Sequence, residues 1–504
     1  MTTNKTKQLL VIGNGMVGQH FIEQWLALQQ HSSDWQLTVF AGEDRPAYDR
    51  VHLSDYFSDG DADKLQLVAD SFYQDNKVQL KLNEPVLAID RDSKTVSTAK
   101  ASYAYDKLVM ATGSYPFVPP ISGNDQPHCL VYRTIADLEA INTSSDGARV
   151  GVVIGGGLLG LEAANALKLQ GLEAHVVEFA PQLMPVQLDK DGGELLRSKI
   201  EQLGVSVHTD KATSSITAGS EQRLQLNFAD GSVLQTDLIV FSAGIRPQDA
   251  LGKDAGLELG TRGGIVINNQ CQTSDSNIYA IGECALYQGQ LFGLVAPGYQ
   301  MARTAAAVLN GDDSLTFTGA DMSTKLKLLG VDVGSIGDAH GRTPGSISLR
   351  YRNDLLGEYR KLVLSPDGKQ LLGAVLVASW PGLRMGHVRD GQAPGAGFQL
   401  ALDTLRELKR KQAEGVRGDD LQSLANRLGA DPLQMQAVLE QLQQLDWVGL
   451  LDENQASSPP RYVMLVDWRS TRVAPLLKLT LLADGPGSAA IHKQWHNWLL
   501  ADVL

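Results

Sequence analysis

Residues 153–171 read VIGGGLLGLEAANALKLQG, and this stretch decides the fold. The run GVVI leading into it has the composition of a buried strand, and Gly155, Gly157 and Gly160 follow at GxGxxG spacing. In such a turn the first glycine allows the tight bend, and the second lets the backbone approach a pyrophosphate. The third lets the next helix pack on the strand, so that its N-terminal N–H groups face the phosphates. Ala163 and Ala164 are small residues on that helix. The following strand, EAHVVEF, ends at Glu178, close to the roughly 20 residues expected beyond the glycines. A carboxylate there accepts hydrogen bonds from free ribose hydroxyls and repels a 2′-phosphate, which points to NADH over NADPH.

The chain has already used this device once. LLVIGNGMVGQHFIEQWL, from Leu9, places Gly13, Gly15 and Gly18 at the same spacing between a strand and a helix. QLTVFAGED supplies a second strand, with Glu43 as the ribose-binding acid and Asp44 as the alternative. Two fingerprints about 140 residues apart form an internal repeat. A dehydrogenase with one nucleotide needs only one. Two make sense when one site holds a resident flavin dinucleotide and the other a visiting nicotinamide, so that hydride enters the flavin and electrons leave it for an acceptor.

Connecting segments stand where such a relay needs them. YDKLVMATGSYPFVPP runs from a strand through Thr112 and Gly113 into a proline-rich exit, a hinge into an inserted domain. DLIVFSAGIRP ends a strand at Gly244 and leaves the insert through Arg246 and Pro247. SNIYAIGECALY ends a strand at Gly282 and Glu283, where a carboxylate can accept a hydrogen bond from a ribityl hydroxyl.

The 504 residues exceed one ordinary core, and roughly two to four domains are expected. A net charge of −13 disfavours nucleic acid and membrane surfaces as partners. No apolar run approaches the roughly 20 residues that span a bilayer. MTTNKTKQ runs straight into a strand rather than a signal peptide, so a cytoplasmic protein is expected. Cys129, Cys271 and Cys284 are the only cysteines and are widely separated, which provides neither a redox pair nor a metal site.

Together these segments resemble the FAD/NAD pyridine nucleotide-disulfide oxidoreductase superfamily. AYDRVHLSDYF, EFAPQLMPVQLD, FGLVAPGYQMA and KLKLLGVDVGSIGDAHGRTPG are similar, more narrowly, to the front portion of NAD(P)H-dependent nitrite reductase large subunits, from about residue 8 to about residue 377. The resemblance implies an α/β fold with two Rossmann-like domains, the NAD domain inserted in the FAD domain. It implies that Gly13, Gly15, Gly18, Glu43, Arg50, Thr112, Gly113, Gly282 and Glu283 hold FAD. Gly155, Gly157, Gly160, Glu162, Glu178 and Gly244 would line the NADH site, with Glu162 beside the nicotinamide path. The expected divisions are 1–117 and 247–314 for the FAD domain and 118–246 for the NAD domain. A small α+β domain is expected over 315–380; in relatives such a domain packs against the FAD domain and often makes a dimer face. HGRTPG, around His340 and Arg342, reads as a turn.

Departures from the family are informative. Its disulfide reductases carry CxxxxC beside the flavin, and here no cysteine precedes Cys129. Where related reductases carry a lysine after LS, this chain has Asp55, so a Lys–Glu pair is absent; Arg50 or His52 is the candidate substitute. Nitrite reductase subunits continue into cysteine-rich iron–sulfur and sirohaem modules, yet no cysteine follows Cys284. The residues present therefore suit the reductase front end, with a separate sirohaem or iron–sulfur acceptor protein as partner and a homodimer as a further possibility.

After a Gly/Pro-rich linker over 381–397, residues 398–504 read as three helices and a β-hairpin with its tip at NQASSPPR, a winged-helix-like tail. It is similar to the cytoplasmic tail of ribonuclease BN-like membrane proteins. Asp431 is the expected N-cap of the third helix, with Pro432 at its first position. That helix carries no Lys or Arg, which favours a protein-interaction module over DNA binding. The leading expectation is an FAD-dependent NAD(P)H:acceptor oxidoreductase serving nitrite reduction. The alternatives are an NADH oxidase or a rubredoxin- or ferredoxin-type reductase, and a nucleotide-sensing regulator.

Overall fold

The computed structural model describes residues 6–29, 34–320, 322–328, 331–353, 357–379, 396–413, 418–428, 430, 432–451, 461–467, 470–472 and 475–476. The chain divides into two compact units, Met1–Trp380 and Pro381–Leu504.

The first unit is built on one plan used twice. In one five-stranded parallel sheet, Lys7–Ile12 lies at the centre, with Trp35–Phe40 and Gln79–Lys81 on one side and Lys107–Met110 and Ile278–Ala280 on the other. In the second, Val150–Ile154 is central. Glu173–Val177 and Ser206–His208 lie on one side, and Leu238–Phe241 and Cys129–Val131 on the other. The central strands are continuous apolar runs because neither face of the parallel sheet meets water: in the second sheet Val153, Val176 and Val240 pack on helices, while Val152, Ile154 and Ile239 pack on the strands Thr213–Ala218 and Leu224–Phe228. In each half a three-stranded antiparallel meander interrupts the sheet strands: Val86–Asp90, Thr95–Thr98 and Ser102–Ala104 follow Gln79–Lys81, and Thr213–Ala218, Leu224–Phe228 and Val233–Thr236 follow Ser206–His208.

The second sheet is an insertion into the first. The chain enters it through Ser114–Pro116 and leaves through Ile245–Pro247, and these segments pair antiparallel. Arg246 stacks on the Phe117 ring at 4.8 Å, and Phe117 N–H donates to the Gly244 carbonyl at 2.9 Å. Entry and exit are thus tied into one two-stranded ribbon.

Residues 324–379 differ from the mixed α+β unit expected of them. Among the described residues they form one antiparallel sheet, in the order Thr324–Leu328, Val331–Gly337, Leu371–Ser379, Glu358–Leu364, Ile347–Asn353. Val331, Val333, Tyr359, Val375 and Val377 join one buried apolar cluster with Leu161, Ala164, Leu183, Met184, Leu188 and Leu196 of the inserted domain, a cluster to which Tyr48, Leu53, Tyr56 and Phe57 of the first domain also belong. A buried ion pair joins the sheet to the inserted domain. Lys361 is 1% exposed, and its ammonium lies 3.0 Å from Asp189, the residue that caps the helix Lys190–Gln202. Tyr359 donates to the same carboxylate at 2.7 Å.

The second unit has its own core, including Leu405, Leu408, Leu424, Met435, Leu439 and Trp447. Its elements run Ala396–Ala413 (helix), Asp419–Asp420 (strand), Leu421–Leu428 and Pro432–Gln444 (helices), then paired strands Val448–Leu451 and Arg461–Met464. Arg427 pairs with Asp419 and Glu407. Most of the expected linker, the N-cap Asp431 and most of the expected hairpin tip lie outside the described residues.

Removing Asp189 leaves Lys361 charged and buried with its partner gone. Asp189→Ala is expected to cost about 3–5 kcal/mol in a urea melt. Adding Lys361→Met should recover much of that loss, because no charge then remains buried.

Candidate functional site

The two glycine turns share their geometry. Gly13 has φ +106° and Gly155 φ +120°, in the region that favours glycine. A Cβ on Gly13 would stand 2.2 Å from the Ala111 carbonyl oxygen, and one on Gly155 2.2 Å from that of Ser242. A Cβ on Gly18 would meet the Gly13 carbonyl at 2.3 Å, and one on Gly160 the Gly155 carbonyl at 1.9 Å. The middle glycines differ. Gly15 and Gly157 cap the helices Met16–Leu28 and Leu158–Leu169, neither cap offers a side-chain hydrogen bond, and a Cβ on either would meet nothing within 4 Å. Each turn therefore leaves open space in front of exposed helix N–H groups, which is the cradle a pyrophosphate needs.

Around the first cradle the structure assembles residues from distant parts of the chain. Glu43 accepts from Tyr48 at 2.7 Å and pairs with Arg50. The Arg50 guanidinium stacks on the Tyr48 ring at 4.6 Å and donates to the Arg133 carbonyl at 3.1 Å. Arg133 in turn donates to Glu283 at 2.5 Å and to Ser114 at 2.8 Å, and Ser114 donates to Glu283 at 2.7 Å. Thr112 donates to the Gln248 carbonyl at 2.6 Å. Gly282, at φ +79°, lies close to Val17 of the first helix. Glu43 and Arg50 are thus bonded to each other, Glu283 is linked to Arg50 through Arg133, and Thr112 is tied to Gln248. Arg133, Tyr48 and Ser114 were not legible as site residues. Arg133 lies in no motif, and only the fold carries it to Glu283.

At the second cradle, Glu178 accepts from Gly156 N–H at 2.6 Å and from Ala180 N–H at 2.8 Å. Its carboxylate is thereby pinned at the glycine turn, at the end of the strand Glu173–Val177. Gly244, at φ +104°, leaves open space on its Cβ side.

Of the proposed acid–base residues, Glu162 and His52 act on each other electrostatically, whereas Arg50 is turned onto Glu43. Burial lifts the Glu162 carboxyl to about 7; His52 opposes that rise and Asp55 adds to it. His52 is held by Asp49 at 2.8 Å, and this hydrogen bond raises its pKa. The Tyr132 hydroxyl, also under the influence of Glu162 and Asp55, is buried without a hydrogen-bond partner among the described residues. An orphaned donor beside an acid whose pKa is raised, together with two open cradles, fits a polar ligand lying across this region.

The cysteines offer no reactive thiolate. All three are free. Burial pushes the Cys129 thiol up to about 11 and raises Cys271 and Cys284 as well. Among the described residues no group of three or more His, Cys, Asp or Glu could hold a metal ion, and no helix is long and apolar enough to cross a membrane.

Residues 5–309 match the family model described as pyridine nucleotide-disulphide oxidoreductase. The nitrite reductase [NAD(P)H] large subunit of Klebsiella oxytoca is 57% identical over 374 residues, which is 74% of this chain and 39% of that protein. The assimilatory nitrate reductase electron transfer subunit of Bacillus subtilis is 35% identical over 77% of this chain and 48% of its own length. The chain therefore matches less than half the length of these relatives. Among solved structures, the water-forming NADH oxidase of Lactobacillus brevis superposes with a TM-score of 0.67 at 24% identity, over 74% of this chain and 87% of its own.

The raised Glu162 carboxyl has a pH signature. Its folded value of about 7 exceeds the ordinary 4.5, so its stabilising contribution is complete below pH ~4.5 and is lost as pH rises through about 7. Over that window the group removes up to about 3 kcal/mol. Glu162→Gln should abolish this slope in urea melts from pH 4.5 to 8. An unchanged slope would mean that another group titrates there.

Proposed function

This chain belongs to the pyridine nucleotide-disulphide oxidoreductase family and is an FAD- and NAD(P)H-dependent oxidoreductase; from that premise we propose that it passes electrons from NADH through FAD to a separate acceptor in nitrite reduction. The observation that carries this reading is the pair of open cradles at Gly15 and Gly157 within one compact unit.

Gly13, Gly15 and Gly18 would hold the FAD pyrophosphate against the helix Met16–Leu28. Glu43, Arg50, Thr112, Gly113, Gly282 and Glu283 would line the rest of that site. Gly155, Gly157 and Gly160 would hold the nicotinamide nucleotide, with Gly244 at the opposite strand end and Glu178 accepting from the adenosine ribose. Bound there, FAD would accept a hydride and release its electrons singly. The protein's own contribution is to position both nucleotides, keep the Glu162 proton near the nicotinamide path and provide no thiolate that could divert the electrons. His52, paired with Asp49, would tune that acid.

Nitrite reduction as the destination is supported by the names of two relatives, a nitrite reductase large subunit and an electron transfer subunit. Reduction of nitrite to ammonium needs a centre that holds nitrite through several electron transfers, which a flavin cannot do. Three scattered, buried or half-buried thiols supply no cluster ligands. A partner with sirohaem or an iron–sulfur centre would complete the reaction. The full chain should therefore reduce ferricyanide with NADH and form ammonium from nitrite only when such a partner is added. Ammonium from the isolated, metal-free chain would refute this division of labour.

The two cradles should be separable by mutation. Gly157→Val is expected to leave a yellow, FAD-loaded protein that no longer oxidises NADH, and Gly15→Val a folded protein without flavin. Loss of flavin in Gly157→Val would reverse the assignment.

Coenzyme choice should follow Glu178. A carboxylate repels the 2′-phosphate that an arginine pairs with. The wild type should prefer NADH, and Glu178→Arg should move the kcat/KM ratio toward NADPH. Equal use of both coenzymes by the wild type would remove this role from Glu178.

A further inference from the structure

We propose that the small antiparallel sheet is part of the nicotinamide-nucleotide site: its His340 holds residues 179–188, the loop facing the adenosine end of the nucleotide, and thereby sets affinity for it. This rests on the assignment of the second glycine turn to that nucleotide.

Residues 179–188 leave the ribose-side acid Glu178 and return to the helix Lys190–Gln202. One side of the loop is tied to the glycine turn, since Met184 N–H donates to the Gly156 carbonyl at 2.9 Å. The other side is tied to the small sheet. His340 Nε2 stands 2.9 Å from the Val186 carbonyl, a bond in which the ring N–H donates. The buried Leu183, Met184 and Leu188 share an apolar cluster with Val331, Val333 and Val377. Just beyond the loop, Asp189 is gripped by Tyr359 and Lys361.

The loop needs these anchors. Met184 has φ +49°, a left-handed conformation that a side chain of its size adopts only when its surroundings enforce it. Phe179, next to Glu178 in the chain, and Val186 are 78% and 76% exposed, apolar surface on this loop that a flat aromatic base can cover. His340 bonds the backbone of Val186. The turn carrying His340 is itself rigid, because the Asp338 carboxylate accepts from the N–H groups of Arg342 and Thr343 at 2.8 and 2.7 Å. His340 is thus a positioning residue, acting on the nucleotide through the loop.

The test is a calorimetric titration of the FAD-loaded full chain with ADP-ribose, which carries the adenosine end but no nicotinamide. Wild type should bind it. His340→Ala should weaken binding about three- to tenfold, the loss expected for one hydrogen bond. The KM for NADH should rise by the same factor, with kcat retained at saturating NADH. His340→Gln, whose amide can still donate, should restore binding. Flavin content and the thermal midpoint, measured alongside, show whether His340→Ala remains folded. If folded His340→Ala binds ADP-ribose like the wild type, the proposal is overturned and the sheet only packs. If wild type binds FAD but not ADP-ribose, the assignment of the second turn fails, and the proposal falls with it.

Discussion

Close approach of glycine to backbone carbonyl oxygens is the constraint on which the rest of the molecule depends. At both turns a Cβ on the first glycine would stand 2.2 Å from a carbonyl of the neighbouring strand, and a Cβ on the third would press into the carbonyl of the first. No other residue permits this packing. It sets each helix directly on the end of its strand, with the unsatisfied N–H groups aimed at the cradle. The two sheets share the arrangement of four strands around these turns and differ in the fifth, which is the last strand in sequence in the first sheet and the first in sequence in the second.

Around the first cradle, charge is arranged in a connected series rather than as isolated groups. Glu43, Arg50, Arg133 and Glu283 link the early strand, the inserted domain and the late strand through hydrogen bonds. Such a series holds its members in place before a ligand arrives, which lowers the ordering cost of binding. Glu162 stands apart from this network, in a buried position where the nearby charges of His52 and Asp55 oppose each other. Burial dominates its ionisation.

The small sheet changes the functional anatomy of the first unit. Packed on the inserted domain by valines and by Lys361 against Asp189, it reaches the loop that follows Glu178. Residues that looked like a separate accessory domain in the sequence thereby contact the loop that begins after Glu178.

How much of this was legible follows from the range of the interactions. The glycine spacings, the acids at 43 and 178, the hinge at 112–117 and 244–247 and the lack of a redox cysteine pair could be read directly, because each depends on residues close in sequence. The side-chain partners could not. Arg50 meets Glu43 and leaves Glu162 to His52 and Asp55; Arg133 crosses to Glu283; Tyr132 is buried with an orphaned hydroxyl. The all-antiparallel character of residues 324–379 and their packing against the inserted domain were equally out of reach. Alternation along a strand tells which side chains face a core, but not which core they face. The sequence by itself determined two glycine cradles and their places along the chain, because a glycine turn is a local steric fact. Only the tertiary structure decided which charges meet at the rim and which surface the small sheet covers, because those depend on packing between segments more than 100 residues apart, as in Asp189 with Lys361 and Arg133 with Glu283.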